Sequence, residues 1–271
     1  MSLIMNPNAG STEPIGSAGA PDPAAASGAA PVTRRVLAQA RFDARSMLRN
    51  GEQLMLTVIL SLLVLVGLSR SSVVDLGDGS RIGLAAPGVL ALALISTSFT
   101  GQAIATGFDR RAGLLRLLGT TPLGRAGLIA GRIGAVLAVQ LIQILLLGSV
   151  GLLLGWRPDP AGIVPALLIG VLGTAAFVSL GLLLAGTLRA EAVLAAANLI
   201  WVILLAGGGV VLAADRLGPA GPVVQWLPSG ALGDGLRSSL TGGSWPWLDL
   251  VVLLGWAVIG TAATVRWFRW D

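Results

Sequence analysis

The chain has 271 residues, of which 54% are hydrophobic and only 11% are charged, and its formal net charge is +5. Soluble domains carry about 25% charged residues, so a chain this apolar cannot cover itself with polar surface in water. Apolar stretches long enough to cross about 30 Å of hydrocarbon as a helix recur along the sequence. The composition therefore predicts an all-α integral membrane protein.

Four residue types are missing altogether: Cys, His, Lys and Tyr. Without Lys, the chain cannot form a phosphate-binding loop that ends in Gly-Lys-Ser/Thr. Without His and Cys, it lacks the usual ligands of zinc, haem and iron–sulfur clusters, and it cannot assemble a Ser-His-Asp or Cys-His catalytic group. We therefore predict no catalytic residue, no metal site and no cofactor in this chain.

The N-terminal part divides into two segments. Residues 1–33 are rich in Pro, Ala, Gly and Ser without a hydrophobic period, which predicts a disordered cytoplasmic tail. Thr33–Asn50 instead predicts an amphipathic helix in the inner headgroup layer, with Arg41, Arg45 and Arg49 beside its apolar arc. A basic segment that only fixes orientation is the alternative. The arc collects six residues: Val36, Leu37, Ala40, Ala44, Met47 and Leu48.

Basic residues indicate how the chain crosses the membrane. With the N-terminus inside, thirteen of the 18 arginines lie in cytoplasmic segments and five in outer ones. Because basic residues concentrate on the cytoplasmic side, we predict that both termini are cytoplasmic, and the positive charge requires no nucleic-acid partner. Six spans are predicted: Glu52–Leu68, Gly83–Gly107, Leu128–Leu154, Ile163–Leu188, Ala192–Ala214 and Leu248–Trp267.

The outer segment between the fifth and sixth spans, residues 215–247, is too apolar for a free loop. Pro228 and Ser229 can open a helix, with Ser229 as its N-cap. We predict two short re-entrant helices that dip into the outer leaflet, which is tolerated where protein covers their backbone. A partly buried outer loop without re-entrance is the alternative.

Polar side chains inside the predicted spans are few. No acidic or basic residue lies near the centre of a span, which argues against a proton- or sodium-coupled carrier. A mostly apolar path with scattered polar groups suits a hydrophobic or amphipathic substrate. Hydrogen bonding between helices is the alternative role for the three amides among them. The candidates for the translocation path are Ser98, Gln102, Gln140, Gln143 and Asn198.

The stretch Gly107–Arg132 separates the second and third spans and holds five arginines. Asp109 is predicted as an N-cap, Gly119 as the residue after a short helix, and Thr121-Pro122 as the start of the next helix. The leucines of this helix do not share one face, and apolar surface on several sides suits a groove in a partner protein. A tight turn that serves only as a positive-inside anchor is the alternative.

This stretch reads Asp109-Arg110-Arg111-Ala112-Gly113-Leu114-Leu115-Arg116-Leu117-Leu118, followed by Thr121-Pro122-Leu123 and Gly131-Arg132. It resembles the permease subunits of type-2 ABC exporters, the superfamily of drug, polysaccharide and lipid exporters. Leu114, Asp109 and Arg132 stand where that family usually has Thr, Glu and Lys. Leu227-Pro228-Ser229-Gly230-Ala231-Leu232 through Leu236-Arg237 is similar to the family's outer element. The resemblance covers residues 34–270.

The resemblance implies a transmembrane domain over residues 34–271, with six spans, an interfacial helix, a cytoplasmic coupling helix and re-entrant outer helices. It implies ABC ATPase subunits that carry ATP and Mg²⁺, and a second permease, either the same chain or a sister chain, in the bilayer of a bacterial inner membrane. A non-transport scaffold or assembly factor that associates with an ATPase is the alternative. The implied ATPase-coupling residues are Asp109, Arg110, Arg111, Gly113, Leu114, Arg116, Leu117 and Pro122, and the outer-element residues are Pro228, Ser229 and Arg237.

Overall fold

The computed structural model describes residues 30–70, 80–120 and 122–268, so most of the predicted N-terminal tail lies outside the described residues. A π-helical turn, Ser96–Gly101, joins the third and fourth α-helices, and 3₁₀ helices Pro160–Gly162 and Ala214–Ala220 precede the seventh and ninth. The α-helices of the described chain are α1 Val32–Arg49, α2 Gly51–Arg70, α3 Arg81–Ile95, α4 Gln102–Arg111, α5 Leu114–Gly119, α6 Gly124–Leu153, α7 Ile163–Thr187, α8 Ala190–Gly207, α9 Gly221–Val224, α10 Pro228–Gly242 and α11 Trp247–Trp267.

Five helical segments of the described chain are long and apolar enough to cross a membrane. The helix α2 is also apolar, over Thr57–Arg70 of its described part. The prediction of an all-α membrane protein is confirmed, while the count of six spans stays a prediction. The five segments are Arg81–Arg111, Gly124–Leu153, Pro160–Thr187, Ala190–Gly207 and Trp247–Trp267.

The fifth span is shorter than predicted, because α8 ends at Gly207 and not at Ala214. Three consecutive glycines lie at this point, and Gly209 has a φ of 76°. Glycine adopts this left-handed conformation without a Cβ penalty, so the chain leaves the helix here. Gly209 also lies close to Gly230 of α10, where a Cβ on Gly209 would lie 2.9 Å from the Cα of Gly230.

The segment formed by α3, the π-helical turn and α4 lies at the centre of the bundle. Of its most apolar window, 89% is buried, and it contacts α2, α6, α7, α8 and α10. Small residues allow this close packing. A Cβ on Gly181 of α7 would lie 2.8 Å from the carbonyl oxygen of Phe99 in the π-helical turn. A side chain at position 181 would therefore prevent this close approach of α7.

The helix α1 packs along α6 with part of its predicted apolar arc. Ala40 is buried and would meet a Cβ on Gly134 of α6 at 3.1 Å. Leu37 and Leu48, at the edge of the arc, stay 70% and 44% exposed. The three arginines beside the arc are also exposed: Arg41, Arg45 and Arg49. The amphipathic helix is present, and its position in the headgroup layer stays a prediction.

The segment between α8 and α11 contains two α-helices, α9 and α10, as predicted. Leu227 is the N-cap residue of α10 and Pro228 opens the helix, so the prediction of Ser229 as the N-cap is wrong. The fixed φ of proline is suited to the first helical position, and the helix starts two residues earlier than predicted. Most of α10 is buried against α3, α7 and α11. Re-entrance into the leaflet stays a prediction.

Candidate functional site: the segment that joins α4 to α6

The short helix predicted in this segment exists, but its bounds differ from the prediction. The helix α4 continues through Asp109 to Arg111, and Gly113 is the N-cap residue of α5 with a φ of 77°. The prediction of Asp109 as an N-cap is therefore wrong, because a left-handed glycine makes the turn four residues later. Gly119 is the last residue of α5 rather than the residue after it, and Thr120 is the C-cap.

The start of α6 also differs from the prediction. The helix begins at Gly124 with Leu123 as its N-cap residue, so Pro122 is not its first residue. Gly124 has a φ of 69°, which separates the turn at Pro122 from the regular helix. Thr121 lies outside the described residues. Arg35 of α1 donates a hydrogen bond to the carbonyl oxygen of Pro122, which joins this turn to α1.

The helix α5 has one buried leucine and two exposed ones. Leu115 is completely buried and belongs to a cluster formed with residues of α6 and α7 and with Phe268. Leu114 and Leu117 are 37% and 66% exposed, and Arg116 between them is exposed. Burial of exposed apolar side chains against a partner lowers the free energy. This exposed surface, formed by Leu114, Arg116 and Leu117, is called the α5 face below.

Two predicted coupling arginines form bonds within the chain. Arg110 Nη1 donates to the carbonyl oxygens of Ala185 and Leu188, at 3.3 and 2.9 Å, at the C-terminal end of α7. A cation at this position complements the partial negative charge of a helix C-terminus. Arg111 Nη1 lies 3.2 Å from Glu191 Oε1 in the first turn of α8. Because both side chains are mostly exposed, this pair contributes little stability.

A buried ion cluster joins the segment to α1. Arg132 of α6 places Nη2 2.5 Å from Asp109 Oδ2 and Nε 3.4 Å from Asp43 Oδ2. Gln39 Nε2 donates to Asp43 Oδ2 at 3.0 Å. Arg132 and Asp43 are only 6% and 4% exposed. We call Gln39, Asp43, Asp109 and Arg132 the Arg132 cluster, which ties α1, α4 and α6 together by charge.

Asp43 was not among the predicted site residues, although its position in the sequence offered a signal. This acidic residue lies next to the apolar arc of α1, beside Val36, and acidic residues are almost never fully buried unless they are paired. Burial has the largest effect on Asp43 and raises the pKa of its carboxyl above 3.8. The charge of Arg132 and the hydrogen bond from Gln39 lower this pKa, and the charge of Asp109 raises it.

A further bond connects the segment to the last helix. Arg125 Nη1 donates to the carbonyl oxygen of Val265, near the C-terminal end of α11, at 2.8 Å. Together with the bonds of Arg110, Arg111 and Arg132, this contact joins the ends of α4 and α6 to α1, α7, α8 and α11. The α5 face is therefore exposed on a segment that is anchored on both sides.

Two translocation candidates form hydrogen bonds between helices. Gln140 accepts from Thr174 Oγ1 of α7 at 2.6 Å and donates to the carbonyl oxygen of Leu94 in α3 at 3.1 Å. Gln143 accepts from Thr97 Oγ1 in the π-helical turn at 2.9 Å. Both glutamines are buried. The structure favours the alternative role of joining helices for these two residues.

The other translocation candidates lie in different environments. Ser98 is completely buried and donates to the carbonyl oxygen of Leu94. Gln102 is buried and donates to Met47 Sδ at 3.6 Å, and its Oε1 has no hydrogen-bond partner among the described residues. Asn198 is exposed on α8 and donates to a carbonyl of its own helix. The five candidates therefore do not form one surface of the chain.

In the predicted outer element, Arg237 holds a non-helical stretch against α10. Its guanidinium donates to the carbonyl oxygens of Gly209, at 3.0 Å, and Val210, just after α8. Arg237 Nη1 also lies 2.5 Å from Asp234 Oδ1. The carboxylate of Asp234 accepts from the backbone N–H of Ala214 at 3.3 Å. Asp234 was not singled out in the sequence, although it lies three residues before Arg237 on one helix.

A known protein family matches the part of the chain that contains these contacts. The family model described as ABC-2 type transporter matches residues 34–240. The chain belongs to the ABC-2 type transporter family. The match includes the segment between α4 and α6, the Arg132 cluster, and Arg237 with the stretch after α8 that it binds. No curated protein matches the chain.

Membership of the ABC-2 family confirms the resemblance to type-2 ABC permeases. The chain is a permease subunit of an ABC transporter and a multi-pass membrane protein. Permeases of this family work with ABC ATPase subunits. The α5 face belongs to the matched region and is exposed.

Proposed function

We propose that this ABC-2 permease exports a hydrophobic or amphipathic substrate, such as a drug, a lipid or a lipid-linked molecule. ATP and Mg²⁺ bind to separate ATPase subunits, which supply the energy. A second permease, identical or a sister chain, completes the path. The complex lies in a bacterial inner membrane with both termini of this chain in the cytoplasm. The excess of arginines on the side of α5 supports this orientation.

The α5 face is the observation that supports the coupling role. Two exposed leucines on either side of an exposed arginine suit a groove on a partner protein. Leu115 fixes the opposite side of α5 in the bundle. Arg110 and Arg132 connect the flanks of α5 to α7 and α1. Movement of a bound ATPase is therefore transmitted to helices that cross the membrane.

The proposed substrate class is supported by the exposed side of α8. Asn198 lies there beside the exposed side chains of Leu194, Leu199 and Val202. A largely apolar surface with one amide suits an amphipathic molecule better than an ion, since ions in membranes need charged or carbonyl ligands. We propose that this side of α8 contributes to the path at the boundary with the second permease.

The coupling role is tested with charge reversal on the α5 face. Arg116→Glu is expected to abolish ATP-driven transport while insertion into the membrane stays normal. Arg266→Glu is the matched control, because Arg266 is an exposed arginine on the same side of the membrane but outside α5. This control is expected to transport like the wild type. Normal transport by Arg116→Glu would contradict the coupling role.

Contact with the ATPase is tested with single cysteines, because the chain has no natural cysteine. Leu117→Cys is expected to crosslink to the ATPase, whereas Trp247→Cys, an exposed position at the other end of the spans, is not. Absence of a crosslink at Leu117→Cys would contradict the proposed contact between the α5 face and the ATPase. If the chain is instead a scaffold, the ATPase rate of the reconstituted complex is expected to stay the same in the presence of every candidate substrate.

A further inference from the structure

An apolar cleft opens between α6 and α7, at the end of these helices remote from α5. Its volume is about 390 Å³. Leu94 and Leu236 on its floor are buried, whereas Leu141 and Leu167 at its edges are 56% and 52% exposed. The cleft is therefore open sideways, toward the lipid that surrounds a membrane protein. It contacts none of the residues of the α5 face.

The depth of the cleft equals about one leaflet. Near its inner end, the hydrogen bond from Thr174 to Gln140 joins α7 to α6. Beyond this bond, Val136 of α6 belongs to one buried cluster with residues of α7. From Leu137 to Gly148, which line the cleft on α6, the helix rises about 16 Å. One leaflet of hydrocarbon is about 15 Å thick, half of the bilayer core.

Two other occupants do not fit this space. A buried water needs two to four polar partners. The amide of Gln140 is already bonded to Leu94 and Thr174, so among the lining side chains only Trp156 Nε1 is left to bind water. A membrane-spanning helix of a partner would need about 30 Å, twice the depth of the cleft. A hydrocarbon chain of one leaflet meets both the depth and the apolar lining.

An arginine is adjacent in the chain to the residues at the outer end of the same cleft. Trp156 and Pro158 line the cleft, and Arg157 between them is exposed. A guanidinium binds phosphate oxygens with charge-assisted, bidentate hydrogen bonds. We propose that the cleft binds one phospholipid of the leaflet remote from α5, with an acyl chain between α6 and α7 and the phosphate on Arg157. This site is independent of the export function proposed above.

The bound chain would rest on α10 through Leu236 and Leu240, which line the cleft. The same helix holds the stretch after α8 through Arg237. The lipid would therefore fill the space between the α6–α7 wall and the helix that positions this stretch.

Filling the cleft tests the proposal. A Cβ on Gly148 would meet nothing within 4 Å, and one on Gly170 would meet only Leu94 Cδ1, at 3.9 Å. Gly148→Leu and Gly170→Val therefore fill the cleft from opposite walls without a backbone clash. Gly255→Leu on α11 is the matched control, since Gly255 also has nothing within 4 Å but does not line the cleft.

The full-length chain is purified in mild detergent, and native mass spectrometry counts the retained phospholipid before and after addition of dioleoyl phosphatidylglycerol. The wild type and Gly255→Leu are expected to retain one phospholipid, which both filling variants lose. Arg157→Gln is expected to weaken retention about tenfold, because it removes hydrogen bonds from a charged group. Thermal unfolding within a few degrees of the wild type shows that the variants are folded.

Three results would overturn the site: a wild type that retains no phospholipid, filling variants that retain as much as the wild type, or a loss of equal size in Gly255→Leu. Unchanged retention in Arg157→Gln would overturn the position of the phosphate. Because two filling variants act from different helices, misfolding of one leaves the other to decide.

Discussion

Replacing Arg132 with Met tests the buried ion cluster that joins α1, α4 and α6. Methionine replaces the aliphatic part of the arginine side chain but removes the only cation that contacts Asp43 and Asp109 among the described residues. The two carboxylates then face each other without a cation, and Asp43 keeps only its hydrogen bond from Gln39. Asp43 is 4% exposed, so water cannot replace the lost partner without opening the packing between α1 and α6.

The magnitude follows from the burial of the cluster. Removing one partner of a buried ion pair costs about 3 to 5 kcal/mol, because the other charge stays buried and unpaired. The side chain of Asp109 is 26% exposed and partly solvated, so we expect a loss near 3 kcal/mol, the lower limit. For a chain of this size, such a loss lowers the Tm by roughly 6 to 12 °C.

The assay is thermal unfolding of the purified chain in detergent, followed by the fluorescence of its eight tryptophans. Arg132→Lys keeps the charge but cannot reproduce the planar fork that reaches two carboxylates, so its loss is expected to be about 1 kcal/mol. Arg116→Met is the control for removing an exposed arginine, and its change is expected to stay within about 0.5 kcal/mol.

A double variant separates lost charge from lost packing. Asp43→Asn combined with Arg132→Met removes the uncompensated buried charge and is expected to recover a large part of the lost stability. The cluster would have no role in holding α1 if Arg132→Met unfolded within about 2 °C of the wild type. The charge explanation would be refuted if the double variant were no more stable than Arg132→Met alone.

Two further predictions concern a proton and a close contact. Burial raises the pKa of Asp43 above 3.8 in the folded chain, so the folded state binds a proton more tightly than the unfolded state. This contribution to stability is lost as pH rises from 3.8 through the raised pKa. The Tm of the wild type relative to Asp43→Asn should therefore fall across this pH window, and a difference independent of pH would contradict the raised pKa. Gly162→Ala should destabilise the chain by about 1 to 3 kcal/mol, since its Cβ would lie 1.8 Å from the carbonyl oxygen of Ser239. Gly255→Ala, with open space around its Cβ, should leave the Tm unchanged or slightly higher, and equal effects of the two alanines would refute the steric explanation.

The helices that cross the membrane could be predicted because their signal is local. A continuous apolar run forms a helix in lipid, where each backbone N–H and C=O must be bonded within the segment. The short helix α5 was also predictable from its leucines and glycines, although its start was placed four residues too early. Capping preferences are worth only about 1 kcal/mol, and at Asp109 a charged bond to Arg132, 23 residues away, takes the side chain instead.

The use of polar side chains was not predictable from local pattern. Gln140 and Gln143 suggested a path, but their partners Thr174 and Thr97 lie on other helices. Asp43 was not predicted as a site residue, because its partner Arg132 lies on another helix. Long-range pairs of this kind require the positions of several helices at once.

The sequence by itself determined that this chain is helical and membrane-spanning, because long apolar runs form helices in lipid whatever their packing. It also predicted a short helix at α5 and the family to which the chain belongs. Only the tertiary structure decided that the flanks of α5 are bonded to α1, α7, α8 and α11, and that an apolar cleft remains between α6 and α7. Both depend on distances between helices, which packing and buried charge set together.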